Sequence, residues 1–212
     1  MFFKNRKEAG KKLAEKLVSY KDKKDVVVLG LARGGVVVAS EAAKELELSF
    51  DVLVTRKVGL PLDREMAVGA IADDFLEGVF NKEIIKEFNL SNEEMNKEID
   101  REKEEMKRRL KLYFKDREML DIKDKIVILT DDGIATGYTM LAAINAVKKK
   151  GAKKIIVAVP VASKDTIGKI ENEAGELYCL YIPEIFFSVG GFYEDFDQVE
   201  DDEVLKILSA NN

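Results

Sequence analysis

The chain has 212 residues, 46% hydrophobic and 35% charged, enough to bury a sizeable core and too apolar for a disordered or fibrous chain. Its 35 basic and 40 acidic residues give a net charge of −5, which argues against general electrostatic binding to nucleic acid or an anionic membrane. The absence of histidine excludes serine-histidine-aspartate hydrolysis, papain-like cysteine chemistry and histidine-ligated zinc, leaving acid, base and metal work to carboxylates, lysine, tyrosine or hydroxyls. No apolar run approaches the roughly 20 residues of a membrane helix. Met1 to Tyr20 is charged throughout, without a signal-peptide core. The lone Cys179 makes no internal disulfide, so a reducing, cytoplasmic location is expected.

In chain order, Ala9, Leu13 and Leu17 recur at helical spacing among charges and predict an amphipathic helix over 5–21. Val26 to Leu29 reads as a strand buried on both faces, ending at Gly30. A helix over 36–46 and a strand over 52–55 follow. From Ser91 to Lys115 charge dominates, and Met95, Ile99, Met106 and Leu110 form a narrow stripe. Ser91 with Glu94 is a capping box that fixes the start of this helix. The spacing predicts a solvated helix that lies across the domain or pairs with a second subunit. Its cluster Lys107, Arg108, Arg109 and Lys111 complements the helix dipole or offers an RNA-facing edge. A strand over 125–130, a glycine-containing turn and a helix over 138–150 come next, with Gly151 as a left-handed stop. Strands over 155–159 and 177–182 enclose a helix over 164–173. This alternation predicts an α/β fold, a central and mainly parallel sheet with helices on both faces. With no repeat or linker, the expectation is one domain over 1–212, carrying an inserted charged helical segment at about 82–118 and a small hood or tail at about 183–212.

The most informative stretch runs Ile126-Val127-Ile128-Leu129-Thr130-Asp131-Asp132-Gly133-Ile134-Ala135-Thr136-Gly137-Tyr138-Thr139. A buried strand delivers two adjacent carboxylates to its carboxyl end, where ligands of open α/β sheets bind. The chain then turns through Gly137 into a helix whose amides and dipole suit a phosphate, with Thr136 and Thr139 as hydroxyl donors. Two acids beside a phosphate cup repel a bare anion and suit sugar hydroxyls or hydrated magnesium. Phosphorylated ribose meets these demands. A second loop, Gly30-Leu31-Ala32-Arg33-Gly34-Gly35, joins a strand to a helix and fits neither the dinucleotide fingerprint nor the Walker A spacing. A third segment, Thr55 to Glu65, carries Arg56, Lys57 and Arg64 with Gly59 and Pro61, which suggests a mobile loop.

The first stretch resembles the phosphoribosyl pyrophosphate signature of type I phosphoribosyltransferases: four apolar residues, two acids, a short spacer and Thr-Gly-x-Thr. Thr130 is more polar, and Tyr138 bulkier, than the residues usual at those points. The resemblance implies that Asp131 and Asp132 face the ribose hydroxyls and hold Mg2+ through water, with Ala135, Thr136, Gly137, Tyr138 and Thr139 on the 5′-phosphate. It implies that Arg33, Gly34 and Gly35 grip pyrophosphate, and that Arg56 and Lys57, with Arg64 a weaker candidate, neutralise it from a closing loop. Pro160 and Ser163, at the same sheet edge, and the aromatic run containing Phe186 and Phe187 are candidates to meet the acceptor. The activity so implied is transfer of phosphoribose to a nitrogen nucleophile of a nucleobase or related heterocycle, by a cytoplasmic homodimer in nucleotide metabolism. Two alternatives stand beside it: a non-catalytic phosphoribosyl pyrophosphate sensor that regulates a partner such as RNA, and a hydrolase that uses water as acceptor.

Overall fold

The computed structural model describes residues 2–64, 66–72 and 75–210. The chain runs through α1 (Arg6–Lys16), β1 (Val26–Leu31), α2 (Gly34–Leu46) and β2 (Ser49–Leu53), a first crossover. Next come β3 (Thr55–Gly59), β4 (Ala67–Ala72) and β5 (Phe75–Phe80), then α3 (Lys82–Glu87) and α4 (Asn92–Tyr113). The second half is β6 (Ile126–Thr130), α5 (Tyr138–Lys149), β7 (Lys154–Val161), α6 (Lys164–Ala174), β8 (Gly175–Tyr181) and α7 (Asp201–Ala210).

Five strands form a parallel sheet in the order β2-β1-β6-β7-β8. Alternate residues of its central strands feed opposite faces, as the two-residue period of a strand requires. Val26, Val28, Ile128 and Ile156 join α1, α2 and α7 in one core, while Val27, Leu29, Val127, Leu129 and Val157 join α5 and α6 in the other. The expected doubly covered sheet is therefore present. From β1 the chain moves outward to β2, and from β6 it moves the other way to β7 and β8. The switch point falls between β1 and β6, whose ends align with Gly30 opposite Thr130. Crevices at such points are where open α/β sheets bind ligands.

The first part of the segment read as a mobile loop, Thr55–Gly59, is strand. β3 pairs antiparallel with β4, and β4 with β5, in a separate three-stranded sheet. Residues 60–64 lie outside the strands, with Leu60 N donating to Met66 O and Leu62 wholly exposed; Glu65 lies outside the described residues. Burial of Thr55 and Val58 holds β3 down, and the small side chains of Ala70 and Ala72 let this sheet pack closely on Ala142 and Ala146 of α5.

The charged helix α4 also departs from the solvated reading. Its capping box is formed, with Glu94 N donating to Ser91 Oγ and Ser91 N to Glu94 Oε2. Its stripe is wider than the apolar residues indicate, because Glu98, Glu102 and Arg109 are buried as well. Buried charges survive when paired and hydrogen-bonded. Glu102 accepts from Arg56 of β3 at 2.6 Å and Arg101 at 2.7 Å, whereas Glu98 is ion-paired with Arg101 at 2.6 Å without the alignment of a hydrogen bond. Beyond α4, Arg117 grips the fully buried Asp51 of β2 with both terminal nitrogens, at 3.1 and 2.6 Å. That pair fastens the connection between α4 and β6 to the edge of the parallel sheet.

Candidate active site

The loops that follow β1 and β6 are pressed together. A Cβ at Gly35 would lie 2.7 Å from Thr130 O and 2.9 Å from Asp131 Oδ1, and one at Gly34 would collide with Asp132 Oδ2. Only glycines allow this approach. Arg33, Gly34 and Gly35 are thus brought to the acid pair by the parallel register of the two strands.

After Asp132, the chain is braced by the end of β7: Ile134 N donates to Val161 O at 2.9 Å and Ser163 N donates to Ile134 O at 2.8 Å. Ala135 and Thr136 are exposed, and Gly137 takes the left-handed region at φ +80° before α5 begins at Tyr138. Gly137 has no side chain to cap the first turn, so the leading amides of α5 remain available to an anion. The Tyr138 ring packs toward the alanine cluster of β4 and α5.

Sequence reasoning missed Arg6. Its Nε donates to Asp132 Oδ2 at 2.8 Å, and Nη1 donates to the Asp197 carbonyl at 2.8 Å. The signal was present: Arg6 lies three residues before Ala9 and seven before Leu13, on the buried face of α1. Tyr193, within the aromatic run, was also unassigned; its hydroxyl donates to Asp132 O at 2.6 Å. Burial pushes the Asp131 carboxyl well above the ordinary range, and the charge of Asp132 adds to this. Burial raises Asp132 too, against the opposing pull of Arg6. A like charge alongside disfavours the ionised form, and a cation or hydroxyl donors at the pair would relieve it.

The remaining candidates divide. Arg33 donates to Glu200 at 2.8 Å, so an acidic group of the C-terminal segment faces it. Arg56 is held by Glu102, and Arg64 lies 3.9 Å from Glu98, which places both against α4. Lys57 is exposed on β3. Pro160 is buried in β7, and Ser163 is the residue before α6, its carbonyl accepting from Thr166 Oγ1 at 2.8 Å. Phe186 is half-buried against Phe192, with ring centroids 5.4 Å apart, whereas Phe187 is 93% exposed. Val189 of the same run covers Gly133, where a Cβ would lie 2.6 Å from its side chain. Three residues of the basic cluster of α4 are engaged by acids: Lys107 by Glu104, Arg108 by Glu105 and Asp201, and Arg109 by Glu105. Cys179 is half-buried with its thiol pushed up to about 11 by burial, far from a reactive thiolate.

Asp131 and Asp132 each keep one oxygen outside these bonds. No group of three or more histidine, cysteine, aspartate or glutamate side chains suited to a metal occurs among the described residues. That donor set fits a magnesium ion that retains waters and takes its other ligands from substrate, as this cation commonly does.

Residues 3–197 match the profile of the phosphoribosyl transferase domain. A Mycobacterium tuberculosis protein bearing the name "Putative phosphoribosyl transferase Rv0571c" is 39% identical over 206 residues, which is 97% of this chain. The match covers 46% of that protein, so the chain spans about half the length of the curated relatives it matches. The crystal structure of the TT1426 protein of Thermus thermophilus superposes with a TM-score of 0.80 at 38% identity, covering 98% of both chains. The AQ2163 protein of Aquifex aeolicus, at 13% identity and a TM-score of 0.52 over 84% of this chain and 74% of that one, shares the fold alone. No described helix is long and apolar enough to cross a membrane. With the profile matched across nearly its whole length, the chain belongs to the phosphoribosyl transferase domain family.

Proposed function

We propose that the protein is a magnesium-dependent phosphoribosyltransferase that moves phosphoribose from phosphoribosyl pyrophosphate to a nitrogen of a nucleobase or related heterocycle. The observation that carries the reading is the contact of Gly34 and Gly35 with the acid pair, which joins the two loops into one cup. In that cup, the amides from Ala135 to Thr139 hold the 5′-phosphate at the start of α5. Asp131 and Asp132 accept hydrogen bonds from the ribose hydroxyls. Arg33 and the amides beside it receive the pyrophosphate.

The bond from the anomeric carbon to the pyrophosphate oxygen breaks first, and the electron pair leaves with pyrophosphate. The sugar ring becomes cationic, as in other glycosyl transfers, and the two carboxylates lie beside it. The acceptor nitrogen then forms the new bond from the opposite face and loses its proton. Magnesium, held through water by Asp131 and Asp132, would neutralise charge on the departing pyrophosphate. Arg56, Lys57 and Arg64 neutralise that charge, Arg56 and Arg64 by leaving the acids of α4 in a closure driven by the arriving anion. Pro160, Ser163, Phe186 and Phe187 border the acceptor. The working unit is a homodimer of the cytoplasm, in nucleotide metabolism. The ion pairs of Arg108 and Arg109 lend no support to an RNA-regulating sensor.

The test incubates the protein with magnesium, phosphoribosyl pyrophosphate and a panel of bases, and follows pyrophosphate. Base-dependent release is expected. Replacing Asp131→Asn together with Asp132→Asn should lower turnover by about two orders of magnitude or more, the scale of removing preorganised electrostatic groups. Undiminished turnover in that variant would remove the assigned role. Release without any base would identify a hydrolase.

A further inference from the structure

The transfer chemistry leaves Arg6 without a task, yet this residue is firmly built in. Its side chain is 11% exposed, against 21% for Arg33. Beyond its bonds to Asp132 and to the Asp197 carbonyl, the guanidinium lies 3.8 Å from the centroid of the Phe196 ring. One planar group therefore touches the acid pair on one side and the C-terminal segment on two others. That segment is laced to the beginning of the chain: Phe3 N donates to Phe192 O, Glu194 N to Phe3 O and Asp195 N to Lys4 O, each at 2.9 Å. Gly34 abuts the same junction, because a Cβ there would stand 3.0 Å from Arg6 Nε. A rigid fork can bridge a carboxylate and a carbonyl while stacking on a ring, and a lysine ammonium cannot do all three.

We propose that Arg6 is a positioning residue that couples the orientation of Asp132 to the seating of segment 192–197, so that the sugar-binding face of the acid pair is complete only while that segment is docked. The inference rests on the reading of Asp131 and Asp132 as the ligands of the ribose hydroxyls. Arg6 occupies Oδ2 of Asp132 and leaves Oδ1 outside that bond. Without the guanidinium, Asp132 is free to rotate beside a second carboxylate, and the C-terminal segment loses two of its anchors. Undocking the segment has the reverse effect on Asp132.

Two measurements decide it. In ligand-free protein, amide hydrogen exchange over 192–199 should quicken several-fold in Arg6→Gln, and also in Asp132→Asn, which leaves Arg6 in place but removes the charge it holds. In calorimetric titrations with ribose 5-phosphate and magnesium, Arg6→Gln should weaken binding about tenfold, the worth of one charge-assisted hydrogen bond. Arg6→Lys should recover little of that loss, and Phe196→Ala should weaken binding in the same direction. In an Asp132→Asn background, Arg6→Gln should add almost nothing, which a purely structural role for Arg6 would not produce. Unchanged exchange over 192–199 in Asp132→Asn, or an equal Arg6→Gln loss in both backgrounds, would overturn the coupling. Absence of sugar binding by the unsubstituted protein would sink the reading of the acid pair, and the exchange measurement would still decide whether Asp132 and the segment are linked.

Discussion

Gly35 and Gly168 are the same amino acid under opposite demands. A methyl group on Gly35 would stand 2.7 Å from Thr130 O and 2.8 Å from Asp131 Cα, against backbone that cannot yield, whereas nothing lies within 4 Å of one on Gly168 in α6. Gly35→Ala should therefore cost about 1–3 kcal/mol, as overpacking does, and should part the two loops. Gly168→Ala should stabilise by roughly 0.5–1 kcal/mol through helix propensity and a less flexible unfolded chain. Chemical denaturation of the two variants checks both signs; a tolerated Gly35→Ala would mean that the loops are not in contact. Arg6, Tyr193 and the glycines show why the site is more than its acidic motif. The motif names the groups that meet the ligand, and these neighbours determine how the groups are aimed.

At the scale of elements, α4 is anchored by charge as much as by apolar packing. The guanidinium of Arg108 is the main cause holding Glu105 down at about 2, from an ordinary 4.5, with Arg109 assisting against the cost of burial. A carboxyl lowered in the folded state contributes stability above its unfolded value and loses it as the pH falls through the folded one. The contribution of Glu105 should thus be intact above about pH 4.5 and disappear between there and about pH 2. Glu105→Gln should flatten that part of the acid-stability curve and leave the neutral part less stable; an unchanged acid slope would contradict the pairing. A larger effect belongs to the segment between α4 and β6, where Arg117 meets the buried Asp51. Arg117→Met should cost about 3 kcal/mol, because a buried carboxylate would be left with only the amides of Val52 and Leu120. Thermal and denaturant melts measure it, and a loss below about 1 kcal/mol would show that water replaces the arginine.

Across the whole molecule, the sequence is most legible where one period of hydrophobicity dominates. β1, β6 and β7 are continuous apolar runs because both faces of the sheet are covered, and the turn into α5 announces itself through the acids and Gly137. The three-stranded sheet escapes such a reading. β3 sets Arg56 and Lys57 side by side between buried Thr55 and Val58, without a two-residue alternation, and β4 is built from Ala, Val, Gly and Ile. Those strands are specified by their contacts with α4 and α5, which a local pattern does not contain. The same holds for Glu98 and Glu102, whose burial depends on Arg56 and Arg101, and for α7, whose acidic first turn reads as tail until Arg33, Arg108 and Tyr113 are seen to meet it. Only the Arg6 position on the buried face of α1 could have been inferred in advance.

Gly34, Gly35, Arg6 and Tyr193 converge on the crevice between β1 and β6. The most direct measurement is a crystal structure of the protein soaked with ribose 5-phosphate and magnesium. The phosphate should lie on the amides of Ala135 to Thr139, with the sugar hydroxyls on Asp131 and Asp132. Density for the sugar at another place, or none at saturating concentration, would contradict the account.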